Sequence, residues 1–496
     1  MTAYLRPGVF VEETLNPLPP ALGSNATSIA GFIGAIDRGP VDVTAINSWS
    51  QFTSLYGGYG TSNLVHLAVL LFFSNGGGTC YVRRTVGSGA STSTRSFNDR
   101  AEAPASTLRF TSANPGVWGN NINVSIQNSL SGTAVDVIVY YGGTSSTNIV
   151  EKFTDLTMGG NDERYLVSVI NAQSKYIAAV DLGSGASGVS RLPVTATNQY
   201  LTSGSDGSAV TASTIGNDVT AFDVVHNSLI LNAPGVTDST AVAALVNYAE
   251  NRGDVFVIID PVSGNVAAQL TTASGYPVSS YAAVYYPKIV IKDPTSTVAG
   301  VTLTANPGGA LAGIYASTDA ARGVFKAPAG ITTRLGGAIS VASLTNSELD
   351  SMNSAAAAVN AIRYITGSGI VAMGARTLNP AYIDKYVPVR RTLIYLRKAM
   401  TDLTQFAIFE PNDEKLWRRI NAALDGFLRD FWRQGGLRGT APAQAFFIKC
   451  DADNNPQASI DNGYVNIEVG VALQRPAEFV VIKISQFDGG TTVTVA

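Results

Sequence analysis

Between Asp413 and Arg433 the chain carries its most restrictive pattern. At about 100° per residue, Leu416, Ile420, Leu424, Phe427, Leu428 and Phe431 share one face, with Trp417 and Trp432 at its flank. Asn412 stands where an N-cap is needed, Asp413 and Glu414 fall in the first turn, and Gly435-Gly436 follows the end, so an amphipathic helix is expected over these residues. Its apolar face predicts a packed core. The opposite face centres on Lys415, Arg418, Ala422, Gly426, Arg429 and Arg433, a basic stripe around two small residues that permit close approach. Such charges ordinarily mark a solvated face.

Around this helix the pattern predicts a domain of its own. A helix is expected over Arg390 to Asp402 and a strand over Gln405 to Glu410, followed by strands over Ala443 to Cys450, Gly463 to Leu473 and Ala477 to Ser485. Gly489 and Gly490 then separate a last β-prone run, Thr491, Thr492, Val493, Thr494 and Val495, too short to be stable alone. By itself this run is either a frayed end or a strand that pairs elsewhere. At the other terminus Pro7, Pro17, Pro19 and Pro20 surround one short alternating run, Val9, Phe10, Val11, Glu12 and Glu13, which reads as an extended arm because proline cannot sit in a central strand.

With 496 residues, the chain exceeds one simple core, and about three domains of roughly 150 residues are expected. Strands over Ser28 to Ile36 and Thr79 to Thr85 enclose helices over Ser48 to Tyr56 and Ser62 to Ser74. Strand, helix and strand recur at βαβ spacing over Ser228 to Asn232, Ser239 to Asn251 and Asp254 to Asp260. Between them the texture turns to Ser, Thr and Gly with β-prone runs such as Asn123 to Gln127 and Val135 to Tyr141, and one helix over Asp162 to Gln173. The expected fold is multidomain α+β: an α/β body over 25–86 and 217–371, an inserted β-rich domain over 87–216, and a C-terminal α+β domain over 372–488. Extended arms over 1–24 and 489–496 complete it.

Only 14% of residues are charged, against about 25% in an ordinary soluble chain. Two readings fit this: a hydroxyl-rich β-protein, or a surface covered by partners. A net charge of −3 argues against direct nucleic-acid binding. The opening residues lack a signal-peptide pattern and no apolar run is long enough to span a bilayer, so folding in a cytoplasm without membrane insertion is expected. Cys80 and Cys450 lie in strand-like runs and are expected to be buried thiols.

His66 and His226 with two cysteines leave little material for zinc or a histidine triad, and His66, in an apolar helix, reads as packing or surface. There is no G-x-S-x-G, H-E-x-x-H or phosphate-loop Gly-Lys pair. Gly183 to Gly188 matches G-x-G-x-x-G but leads to Pro193 without a helix to hold a pyrophosphate. Asp451, Asp453 and Asn455 imitate a calcium loop, yet Pro456 stands at its glycine and Asn462 at its glutamate. No catalytic residue, metal or cofactor is expected. An α/β enzyme built around Ala233 to Asp260 stays the weaker alternative, and a passive self-assembling wall protein of capsid or surface-layer type the stronger one.

In order along the chain, Pro7-Gly8-Val9-Phe10-Val11-Glu12-Glu13, Gly116-Val117-Trp118-Gly119-Asn120, Ala312-Gly313-Ile314-Tyr315 with Asp319, Arg322-Gly323 and Lys326-Ala327-Pro328-Ala329 are followed by a nearly continuous C-terminal series. That series comprises Gly374-Ala375-Arg376-Thr377-Leu378, Val389-Arg390-Arg391, Phe409-Glu410-Pro411-Asn412, Leu416-Trp417, Phe446 to Asp451 and Arg475-Pro476-Ala477-Glu478-Phe479. The chain thereby resembles the contractile tail sheath family of phages and related injection systems, departing at Met373, where an aromatic residue usually precedes Gly-Ala-Arg-Thr. The resemblance implies a non-enzymatic structural subunit of a virion tail, assembled in the bacterial host cytoplasm. It implies hexameric rings stacked helically around an inner tail tube protein, with baseplate and tail terminator proteins as further partners. Contraction from a metastable extended state would drive the tube through a bacterial envelope during genome ejection. It also implies that both arms add strands to neighbouring subunits, that the inserted domain faces outward, and that the C-terminal domain sits against the tube; in such an assembly the basic stripe is expected to touch acidic groups on the tube.

Overall fold

The computed structural model describes residues 27–60 and 63–479. At the centre lies an eight-stranded sheet made of β1 (Ala30–Ala35), β2 (Thr44–Ile46), β3 (Cys80–Thr85), β4 (Leu229–Asn232), β5 (Val255–Ile259), β6 (Ala282–Tyr286), β7 (Val359–Ile365) and β8 (Gly369–Ala372). Their order across the sheet is β8-β7-β6-β5-β4-β1-β3-β2. The six inner strands are parallel, and β2 and β8 close the edges antiparallel. All five residues of β5 are buried, the uninterrupted apolar run expected of a strand covered on both faces.

Alternation within each strand feeds two cores. Phe32, Ile230, Phe256 and Tyr285 point to one face, where α1 (Trp49–Tyr56), α2 (Leu64–Ser74) and α4 (Gly308–Arg322) pack. Ile33, Leu231, Val257 and Val284 point to the other, covered by α3 (Ser239–Arg252). Helices α2 and α4 approach closely because α4 is lined with small residues. A Cβ on Gly309 would lie 2.1 Å from the Ala68 carbonyl oxygen, and one on Gly313 2.6 Å from that of Phe72.

Between β3 and β4 the chain leaves the sheet through a paired neck in which Ser91 and Ser205 exchange backbone hydrogen bonds of 2.9 and 3.0 Å. It then builds two antiparallel sheets: Thr94–Asn98, Ser106–Ser112 and Ile177–Asp181 in one, and Ile122–Asn128, Val135–Tyr141, Ile149–Leu156 and Ala196–Tyr200 in the other. Leu108, Phe110, Trp118, Val124, Val137 and Leu166 form part of their separate core. Arg38 ties the insertion to the body: its guanidinium lies 5.0 Å from the Tyr141 and Tyr176 rings and donates to the Tyr176 hydroxyl at 3.1 Å. Buried Arg84 spans the same joint, donating to Ile36, Asp37 and Gly39 carbonyls and to Pro115.

The C-terminal part sets α5 (Val387–Thr404) and α6 (Glu414–Arg433) against a hairpin of β9 (Phe446–Lys449) and β10 (Glu468–Val471). Here several sequence expectations need correction. Gln405 to Glu410 is not a strand; after a 3-10 turn at Gln405–Ala407, Phe409 takes a positive φ of 65°, which breaks the extended run. The expected strand over Ala443 to Cys450 opens as a helical turn, Pro442–Ala445, because Pro442 fits a first helical position. Gly463 to Leu473 contracts to β10, and residues 477–479 form no strand; the rest of that expected strand lies outside the described residues. Cys80 and Cys450 are buried free thiols, and burial pushes both pKa values up.

Candidate assembly sites

Helix α6 is capped by Asp413, whose Oδ1 accepts from the Leu416 amide at 2.9 Å, and not by Asn412. Both residue types cap well, and Asn412 is engaged elsewhere: it accepts from Trp417 Nε1 at 2.8 Å and donates to the Tyr464 carbonyl at 2.9 Å. Leu416, Trp417, Ile420, Leu424, Leu428 and Phe431 are buried, while Phe427 and Trp432 are half-buried. Lys415, Arg418, Ala422, Gly426, Arg429 and Arg433 are exposed together. The stripe is less basic than its cations suggest, since Arg418 pairs with Glu414, Arg429 with Asp425 at 2.5 Å and Arg433 with Asp430 at 3.1 Å. Those acids lie three or four residues away on the same helix, where such pairs form readily.

Leading into the helix, Phe409-Glu410-Pro411 forms a loop in which Phe409 is fully exposed and Ile408 largely so. Between the central sheet and the C-terminal part lies a cleft of about 600 Å³. Pro476, Ala477, Glu478 and Phe479 form one wall, with Lys326, Val359 and Met373 among the facing residues.

Glu478 is held there by Arg376, with Nε to Oε1 at 2.8 Å and Nη2 to Oε2 at 2.5 Å, and by the Tyr386 hydroxyl at 3.2 Å. Burial pushes the Glu478 carboxyl up, but the hydrogen bonds and charge of Arg376, with help from Tyr386 and Lys385, hold it below its ordinary value. A second clamp sits near the first described residues. Arg391 on α5 pairs bidentately with Asp319 on α4, at 2.9 and 2.6 Å, and donates to the Thr27 carbonyl at 2.9 Å. The Thr27 hydroxyl donates to Asp319 Oδ2 at 2.6 Å. Arg391 also lies 4.9 Å from the centre of the Tyr315 ring, whose hydroxyl meets that of Tyr285 at 2.7 Å. One segment, 376–391, therefore holds the chain at Thr27 and at Glu478.

Sequence reasoning placed Arg376, Glu478, Asp319 and Arg391 in one motif series without pairing any of them, and did not single out Thr27 or Tyr386. One signal was available: Arg391 stands between Val387 and Ile394 on the apolar side of α5, where a cation needs a partner. The arm runs Val9 to Glu13 and Thr491 to Val495, with Gly489 and Gly490, lie outside the described residues.

Other candidates resolve into structure. His66 is buried beside Phe52, ring centroids 5.1 Å apart. Gly183 follows a strand whose Asp181 accepts its amide at 2.8 Å, and the loop ends in the 3-10 turn Gly188–Arg191, too short to seat a pyrophosphate. Asp451 accepts from the Asp453 amide at 2.9 Å, and Asn455 turns its side chain to the Asn466 carbonyl at 3.1 Å. Among the described residues no group of three His, Cys, Asp or Glu side chains is placed to hold a metal, and no helix is long and apolar enough to cross a membrane.

The phage tail sheath C-terminal domain family matches residues 384–487. The tail sheath protein of Vibrio phage KVP40 is 26% identical over 126 residues, a stretch that spans 25% of this chain and 18% of that protein. The contracted sheath of an extracellular contractile injection system, PVC, is 23% identical with a TM-score of 0.58, over 98% of this chain and 99% of that one. For the contracted helical sheath of the anti-feeding prophage the values are 22%, 0.60, 98% and 100%. The sheath tail protein from Listeria innocua is 14% identical with a TM-score of 0.61, over 86% and 89% of the two chains. Residues 384–487 thus match the phage tail sheath C-terminal domain family, and the chain as a whole resembles contractile tail sheath proteins in its fold.

Proposed function

We propose that this chain is the structural subunit of a contractile tail sheath, with no catalytic role, that polymerises as stacked hexameric rings around an inner tube. Contraction from a metastable extended state then drives the tube through a bacterial envelope. The observation that carries the reading is likeness of fold along nearly the whole chain to sheath subunits of injection systems, two of them imaged contracted. A further likeness, to a chain in the structure of the anti-feeding prophage baseplate, supports a baseplate partner. Tube and terminator proteins complete the proposed set, and the virion tail is the proposed location.

The clamps at Thr27 and Glu478 support a linking role for residues 1–24 and 489–496. Strand addition to a neighbour contributes only a few kcal/mol per arm, at about 0.5 to 1.5 kcal/mol per hydrogen bond, yet repeats at every subunit. The stripe on α6 is proposed to meet the tube. Its arginines already have partners in the helix, so docking exchanges one exposed ion pair for another, worth about 0 to 1 kcal/mol each. Such contacts release easily, as contraction requires. Energy for movement is stored in the assembly itself, two packings of the same subunits that differ in free energy.

Electron microscopy of the purified protein tests the reading. Hollow helical cylinders are expected; flat lattices or closed shells would instead indicate a passive wall protein, and monomers at every concentration would overturn self-assembly.

A further inference from the structure

The loop before α6 holds an aromatic side chain where its own fold gives it nothing to touch. Phe409 is fully exposed and stands at φ 65°, a left-handed conformation that a bulky residue adopts only when its surroundings impose it. The strain is maintained by structure on both sides: the Glu410 amide donates to the Ala407 carbonyl at 3.3 Å, and Asn412 is tied to Trp417 and Tyr464. Burying a phenylalanine removes roughly 150 to 250 Å² from water, enough to anchor an interface. Glu410 follows it and is exposed too, so the projection is an aromatic knob with an acidic neighbour.

The 600 Å³ cleft has the complementary character. Val359 and Met373 give it an apolar lining, and Lys326, Arg363 and Arg475 face it against Asp350, while Glu478 is already neutralised by Arg376. We propose that Phe409 of one copy inserts into this cleft on a second copy, with Glu410 toward its cations. The inference rests on the self-assembly reading above and names one of its contacts. Knob and hole occupy different parts of one surface, so the contact is heterologous, the kind that generates rings or open helices instead of closed two-fold dimers.

The test uses the full chain as Phe409→Cys, as Met373→Cys, and as the double variant, each treated with a short bismaleimide; the native thiols Cys80 and Cys450 are buried. A cross-linked dimer is expected only when the two single variants are mixed, and a ladder of oligomers from the double variant. Cylinders that form without cross-linking in the mixture would overturn this contact and leave self-assembly standing. A double variant linked only within single chains would also overturn it, because the cleft would then hold its own loop. Failure of the unmodified chain to polymerise at all would overturn both readings. A second variant, Phe409→Gly, relieves the backbone while removing the knob: a raised Tm with a polymerisation threshold at least about tenfold higher is expected, and an unchanged threshold would count against the contact.

Discussion

The Arg391–Asp319 pair shows how much one buried charge depends on its partner. Their side chains are 4% and 3% exposed, and each has a further hydrogen bond: Asp319 accepts from the Thr27 hydroxyl and Arg391 donates to the Thr27 carbonyl. Asp319→Ala would strand the guanidinium and should lower unfolding free energy by about 3 to 5 kcal/mol in urea titrations. Asp260 behaves differently. Its carboxyl accepts from the Gly235 and Gly308 amides at 3.0 and 2.8 Å, yet complete burial outweighs those bonds, Asn232 and Lys288, and pushes its pKa from 3.8 up to about 6. A raised carboxyl favours the folded state while protonated, so its contribution is full below about pH 4 and is lost as pH rises through 6. Relative to Asp260→Asn, the wild-type chain should lose about 3 kcal/mol of stability between pH 4 and 7, measured as the difference between their two stability–pH curves.

At the scale of elements, α6 separates what is local from what is not. Its buried face was legible because helical periodicity is written in neighbouring residues, whereas the cap was misassigned because Asn412 and Asp413 are both suitable and only side-chain geometry chooses. The strand expected over Gln405 to Glu410 failed for a related reason: β-prone residues need an edge to pair with, and the backbone turns at Phe409 before one is reached. The stripe keeps its place on the exposed face, but its charges are shared with Glu414, Asp425 and Asp430. Arg429→Glu with Arg433→Glu replaces two attractive pairs by like charges, a helix cost of about 0.5 kcal/mol each, so the chain should stay folded. It should no longer assemble on tube protein in a co-sedimentation assay; normal sheathed tubes would remove the stripe from the proposed interface.

For the whole molecule, the division of labour lies in the order of the strands. The insertion leaves after β3 and returns at β4, on the other side of β1, and Arg38 and Arg84 fix it at that joint. Segment 376–391 holds the chain at Thr27 and Glu478. If residues 489–496 link subunits, removing 490–496 should leave a folded chain that sediments as a soluble monomer under conditions where the full chain polymerises. Ordered polymers from the truncated chain would assign linkage elsewhere.

By itself the sequence determined the elements with a short period: β1, β3 to β5 and helices α1 to α3, α5 and α6, within a few residues at their ends, and the burial of the α6 apolar face. These depend on residues one to four apart, whose side chains share a face whatever lies beyond. Only the tertiary structure decided that Arg391 meets Asp319 and Arg376 meets Glu478, contacts 72 and 102 residues apart in the chain. A charge carries no record of its partner's position, because electrostatic pairing is fixed by which surfaces the folded cores bring together.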